Sequence, residues 1–300
     1  MNKTVVIFGG GGQDGFFLKK LLLSLGYQVV IFTHKGGEAG PPLDVSDFDN
    51  VEIVLKKYRP EIIFHLAARS STRHEFILEN HKAIVDGALS ILEAVDRHIP
   101  NSKVFIASSA LIFKNEGKSI NENNELVTDT AYTLARVEAL HVARYYRMRG
   151  RKVYVGFLFN HESPMRPPNS VVREVARGVV DIHFGLQESL SIGNAGVIKE
   201  WMWAGDAVAA IFSLVDQNNI FEACIGDGIG MSVHDYAVAC CEVVGISLED
   251  HMLEIPDYKA EYSTLVSDSK KISSLGWTPK FNMKSLAKKM IEAEISSRQL

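Results

Sequence analysis

The chain is poor in cysteine. Its three thiols, Cys224, Cys240 and Cys241, share no metal-ligand spacing and form no even set, which argues against a disulfide framework and a cysteine-based metal centre. They read as buried thiols of a reducing compartment, so the expected location is cytoplasmic. Long hydrophobic runs are missing as well, and no stretch stays apolar far enough to span a bilayer. The run from Val5 to Phe8 is too short for a signal peptide, and polar residues follow it. Neither sign of charge dominates: the formal net charge is −4, which gives no general reason to expect nucleic acid as a partner. No internal repeat or low-complexity segment stands out. The balance, 46% hydrophobic and 23% charged over 300 residues, is that of a soluble globular chain with room for one large domain and a smaller lobe.

The order of elements is legible from hydrophobic period. "TVVIF", "QVVIFT", "EIIFHLAA", "KVFIASS" and "KVYVGFLF" are short, continuous and mostly β-branched or aromatic, the pattern of strands buried on both faces. Between them lie helical segments: "GFFLKKLLLSLG" stopping at Gly26, "VEIVLKKYR", "AIVDGALSILEAVDRH", and "AYTLARVEALHVARYYRMRG" closing on Gly150. Such alternation predicts an α/β fold with a Rossmann-type, doubly wound parallel sheet and helices on both faces. After Asn160 the rhythm changes. A proline-containing loop, "HESPMRPPN", leads into irregular structure, short strands and a terminal helix around "NMKSLAKKMIEAE". We read residues 1–160 as a dinucleotide-binding domain. Residues 161–300 read as a substrate-binding lobe with returns to the main domain.

Four consecutive glycines follow the first strand in "VVIFGGGGQDGFFLKK". Gly9, Gly12 and Gly15 have the spacing of a turn that brings bare main-chain N–H groups and a helix N-terminus to a pyrophosphate. An NAD site usually places an acid at the end of the second strand. Here that position reads Thr33, His34, Lys35, with no acid before Glu38. The basic pair His34 and Lys35 suits a 2′-phosphate, so NADP is favoured and NAD remains possible. Asp44 suits either the adenine amino group or a local turn.

Several further segments carry a resemblance. "GQDG" at Gly12–Gly15, "FLFNHESP" at Phe157–Pro164, "VVREVARGV", "IGNAGVIKEWMWAGDAV" and "DSKKISSLGWTPKF" together span nearly the whole chain. The chain resembles an extended short-chain dehydrogenase/reductase, and more narrowly the GDP-mannose 4,6-dehydratase family. The resemblance implies oxidation of a nucleotide sugar at C4 with bound NADP. It implies a tyrosine that takes the hydroxyl proton, a lysine four residues later, a serine or threonine beside them, and a glutamate two residues after that hydroxyl which removes the C5 proton. The tyrosine maps to Tyr132 and the hydroxyl to Ser109, with Ser108 as neighbour. The implied cofactor set is Gly9, Gly12, Gln13, Asp14, Gly15, His34, Lys35, Asp44, Ala67, Tyr132 and Arg136. The implied substrate set is Ser108, Asn160, Arg173, Lys199 and Glu261. Long apolar-striped helices of this kind pair across a homodimer in the family, although a single-subunit core gives the same stripes.

The chain departs from that pattern at two places. Arg136 replaces the lysine: it keeps the charge but cannot release a proton into a relay. Leu111 replaces the glutamate and cannot abstract a proton at all, where a general base is worth ~10²–10⁴-fold. Glu116 and Glu122, nearby in sequence, are expected to face solvent. His74, His81 and His161 are minor candidates for proton donation. Glu174 stands where the family carries a lysine, which weakens the case for guanine. The expected function is therefore NADP-dependent reduction of a 4-keto nucleotide sugar, a GDP-sugar favoured. The alternatives are a dehydratase or 4-epimerase, and a dinucleotide-binding protein of little activity.

Overall fold

The computed structural model describes residues 3–36 and 40–298; Glu38 lies outside them. The first half alternates as expected: β1 (Thr4–Phe8), α1 (Gln13–Ser24), β2 (Gln28–Phe32), α2 (Phe48–Tyr58) and β3 (Ile62–His65). Then α3 (Ile77–Asn80) runs through a π-helical turn, His81–Asp86, into α4 (Gly87–His98), followed by β4 (Lys103–Ser109), α5 (Ala131–Met148) and β5 (Lys152–Leu158). The second half holds β6 (His161–Glu162), α6 (Val171–His183), β7 (Leu190–Ile192), β8 (Ile198–Lys199), β9 (Met202–Trp203), α7 (Ala204–Val215) and β10 (Glu222–Ile225). It ends with β11 (Met231–Ser232), α8 (Val233–Val244), β12 (Met252–Glu254), β13 (Thr264–Leu265), α9 (Lys270–Ser273) and α10 (Met283–Ser296).

Six parallel strands form the central sheet in the order β2-β1-β3-β4-β5-β10. Successive strand residues point to opposite faces, so each buried run feeds two cores. Val6, Phe8, Ile63, Val104, Ile106 and Val155 pack with α2, α4 and α5 on one face. Val5, Ile7, Ile62, Phe64, Phe105 and Tyr154 pack with α1 and α7 on the other. A third core joins α6, α8 and α10, where Trp201 stacks on Tyr236 with centroids 4.2 Å apart. The three cysteines are free and buried, Cys224 in the first core and Cys240 and Cys241 in the third. Among the described residues no helix is long and apolar enough to cross a membrane.

Strand order reverses between β1 and β3, since β2 lies on one side of β1 and all later strands lie on the other. The C-terminal ends of the strands at such a switch point form the crevice that open α/β sheets use for ligands. The loops after β1, β3, β4 and β5 all leave from that end.

Candidate active site

The glycine loop is built by close packing. Gly9 has φ +81°, and a Cβ there would lie 2.3 Å from the Ala67 main-chain nitrogen. The loops after β1 and β3 can touch only because Gly9 lacks a side chain. A Cβ at Gly15 would lie 2.3 Å from the Gly10 carbonyl oxygen, which fixes helix α1 against the turn. Gly12 differs: a Cβ there would meet nothing within 4 Å. It occupies the N-cap of α1 and offers no side chain to the helix's free N–H groups. A bare helix N-terminus beside open space is what a dinucleotide's phosphates require, so the loop fits that group. His34 and Lys35 are exposed just past β2. Asp44 is committed locally: Oδ1 accepts from Ser46 N and Oγ, and Oδ2 pairs with Lys82 at 2.8 Å.

The second group gathers at the end of β4. Thr130 and Thr133 form a capping box at the start of α5, with the Thr133 amide donating to Thr130 Oγ1 at 3.1 Å. That cap sets Tyr132 and Arg136 one turn apart on the helix face toward the sheet. Tyr132 is 9% exposed. Its hydroxyl makes no hydrogen bond to a described residue and is not fully buried, so it reaches solvent. Ser109 Oγ accepts the Leu111 amide at 3.2 Å, which leaves its own proton free to donate outward. Ser108 Oγ is buried without a partner.

Arg136 is 4% exposed, and no carboxylate pairs with it among the described residues. Its Nη1 donates to the Ala107 carbonyl, and its guanidinium lies 5.1 Å from the centre of the Tyr132 ring. The Nε–H has no partner. Close by, His65 at the end of β3 donates from Nε2 to the Ile84 carbonyl at 3.3 Å, leaving Nδ1 as an unpartnered acceptor. Burial pushes the His65 pKa down to about 4, the Ile84 hydrogen bond opposes this, and the Arg136 charge adds to the fall. A neutral imidazole with a free acceptor thus stands in the neighbourhood of a guanidinium with a free donor. Sequence reasoning missed His65; the available signal was a lone histidine in the apolar run "EIIFHLAA".

Leu111 sits in the 3₁₀ turn Ala110–Ile112 and packs against the first core. The nearby acids do not replace a glutamate. Glu116 is exposed and pairs with Lys114. Glu122 corrects our expectation of a solvent-facing side chain: it is 7% exposed, accepts the Cys224 amide at 2.7 Å and pairs with Lys271 at 3.0 Å. Its partner amide lies on β10, about a hundred residues away in the chain, which no local pattern reveals. His74 is exposed, and His81 is half-exposed between Asp86 and Glu138.

His161 is a further departure from its expected role. It lies between Asp14, 2.8 Å from Nε2, and the Phe159 carbonyl, 2.7 Å from Nδ1. Burial pulls its pKa down, but the Asp14 charge and hydrogen bond outweigh that and raise it to about 9. A group whose folded pKa is raised contributes stability that is full below the unfolded value and disappears as pH climbs through the folded one. The wild-type denaturation midpoint should therefore drop between about pH 6.5 and about pH 9 by more than that of His161→Gln. Equal pH slopes in the two proteins would contradict the assignment.

Of the expected substrate residues, Ser108 lies on β4 and the others lie in the second half of the chain, where each has its own partner or faces solvent. Asn160 accepts from the Tyr262 hydroxyl at 3.5 Å. Lys199 is buried 3.7 Å from Glu162, and burial lowers its pKa despite that partner. Arg173 is engaged by Glu294 of α10 through Nε and Nη2 at 2.9 and 2.8 Å. Glu174 and Glu261 are exposed.

The parallel sheet and the glycine loop are those of the NAD(P)-dependent epimerase/dehydratases of the extended short-chain dehydrogenase/reductase class. Solved structures share the fold: RMD from Pseudomonas aeruginosa complexed with NADPH superposes with a TM-score of 0.86 at 17% identity over 99% of both chains. UDP-glucose 4-epimerase from Thermotoga maritima with UDP-glucose also gives 0.86, at 20% identity over 98% of this chain and 99% of that one. Within the class, the pattern described as GDP-mannose 4,6 dehydratase matches residues 42–290, and the chain belongs to that family. GDP-mannose 4,6 dehydratase 1 of Arabidopsis thaliana is 28% identical across 98% of this chain and 90% of its own length. The GDP-mannose 4,6-dehydratase of Vibrio cholerae is 25% identical across 100% and 95%. The chain is a sugar-nucleotide-modifying enzyme of this family.

Proposed function

We propose that the protein reduces a 4-keto nucleoside-diphosphate sugar, a GDP-sugar by the names of its relatives, using NADP. Leu111 carries the reading. The turn that should present a carboxylate to C5 presents an alkyl side chain, and the neighbouring acids are committed elsewhere. Reduction at C4 needs no proton removed from C5. A bound nicotinamide dinucleotide would supply the hydride.

The chain's own groups do the rest. Tyr132 holds a proton at a hydroxyl open to the cleft and gives it to the C4 oxygen as that oxygen gains charge. Ser109, oriented by the Leu111 amide, donates to the same oxygen. Arg136 keeps a fixed positive charge against the Tyr132 ring and has no acid partner among the described residues. Gly12 and the N-terminus of α1 receive the phosphates, and exposed His34 and Lys35 support a 2′-phosphate. Asn160 and Lys199 are the residues we assign to the sugar-phosphate, by the family resemblance of their segments. The outward faces of α4 and α5 carry exposed Leu89, Tyr145 and Met148, which supports a homodimer through these helices.

Dehydration at C5 and C6 is the second reading, supported by the end-to-end match to proteins named as GDP-mannose dehydratases. Product analysis separates the two. On the reductase reading, GDP-mannose without added reductant stays intact, while a GDP-linked 4-keto-6-deoxyhexose consumes NADPH. A 4-keto-6-deoxy product formed from GDP-mannose alone would overturn that reading in favour of the second.

A further inference from the structure

Two motifs 147 residues apart meet side chain to side chain. "GQDG" opens α1, and "NHESP" follows β5. Gln13 Nε2 donates to the His161 carbonyl at 3.1 Å, and Ser163 Oγ donates to Gln13 Oε1 at 2.6 Å. Beside them, both ring nitrogens of His161 face acceptors, Asp14 Oδ1 and the Phe159 carbonyl. Only the imidazolium can donate to both. Two charged groups face this ring: Asp14 from α1 and Arg166 from the loop after β6. The adjacent Glu162 is itself taken up by Arg166 at 3.0 Å and Lys199 at 3.7 Å.

Asp14 stands in the first turn of the helix whose bare N-terminus fits a pyrophosphate. An unpaired carboxylate there would suit the helix dipole, but it would repel an anionic ligand at the same helix end. We propose that His161 is a positioning residue for the dinucleotide: its fixed positive charge cancels Asp14 and so keeps the helix N-terminus receptive to phosphate. The inference rests on the dinucleotide part of the proposed function and is independent of the sugar and of the direction of reaction. It also accounts for the contact between the two motifs, since one brings the carboxylate and the other the charge that neutralises it.

The test is NADPH affinity, measured by calorimetry on the full chain without any sugar. His161→Gln should bind NADPH about tenfold more weakly, the size expected for one partly screened charge pair. Asp14→Asn should bind at least as tightly as wild type. The double variant Asp14→Asn/His161→Gln should recover to within about threefold of wild type, because no carboxylate remains to be neutralised. A purely structural clasp predicts the reverse, with the double variant no better than His161→Gln, and that result would overturn the proposal. A pH series gives a second readout that needs no His161 variant. Wild-type affinity should fall as pH rises through about 9, where His161 loses its proton, and Asp14→Asn should lack that component. Parallel profiles in the two proteins would overturn the proposal even if His161→Gln failed to fold. Absence of NADPH binding by the wild type would instead strike at the cofactor assignment itself.

Discussion

Replacing Tyr132 by phenylalanine should lower turnover by roughly 10²–10⁴-fold while leaving dinucleotide affinity and stability close to wild type, because on the proposed function the substitution removes a proton donor and little else. The structure makes this a clean experiment. The hydroxyl has no hydrogen-bond partner among the described residues, so its deletion leaves no orphaned donor or acceptor in the core. The ring stays, and with it the packing against Arg136 at 5.1 Å. The effect should therefore appear in kcat rather than in NADPH binding. A Tyr132→Phe enzyme retaining more than a tenth of wild-type turnover would mean that another group delivers the proton. His161 is a poor candidate, since both of its ring nitrogens already face protein acceptors.

Alanine at Gly9 and alanine at Gly12 should produce opposite failures. At Gly9 the new Cβ would lie 2.3 Å from main-chain nitrogen of Ala67, at a φ of +81°. Strain and overpacking together cost about 2–4 kcal/mol, so Gly9→Ala should lower the unfolding free energy measurably before any ligand is added. At Gly12 nothing lies within 4 Å. Gly12→Ala should cost at most about 1 kcal/mol, through a poorer N-cap. Its NADPH affinity should nevertheless fall tenfold or more, since the methyl would occupy space the phosphates use. Chemical denaturation and calorimetry on the two variants check both halves. A Gly12→Ala protein with wild-type affinity would remove the phosphate site from this loop.

The first half of the fold was legible because a parallel strand buried on both faces writes its burial directly into composition. "VVIF", "EIIFH" and "KVFIASS" all became central strands with nearly every side chain buried. β10 was not legible. Its four residues, "EACI", carry no such run, and the strand is defined by pairing to β5 rather than by local pattern. The glycine loop and Tyr132 could be located from spacing and from the resemblance, since both are short-range signatures. The partners that decide how charged residues behave could not. Asp14 and His161, Arg173 and Glu294, and Glu122 and Cys224 are each separated by at least 102 residues. Tertiary packing alone brings them together, which is why Glu122 reads as a solvated charge in sequence and proves to be an internal tie.

The most direct test of the account is solvent isotope incorporation. A GDP-linked 4-keto-6-deoxyhexose is incubated with the enzyme and NADPH in deuterium oxide, with an enzyme-free control, and the product is examined by NMR. With Leu111 in place of a base, we predict a 4-hydroxy product that carries no enzyme-dependent deuterium at C5. Enzyme-dependent deuterium at C5 would show that a base does reach that carbon, and it would contradict the claim that this chain works at C4 alone.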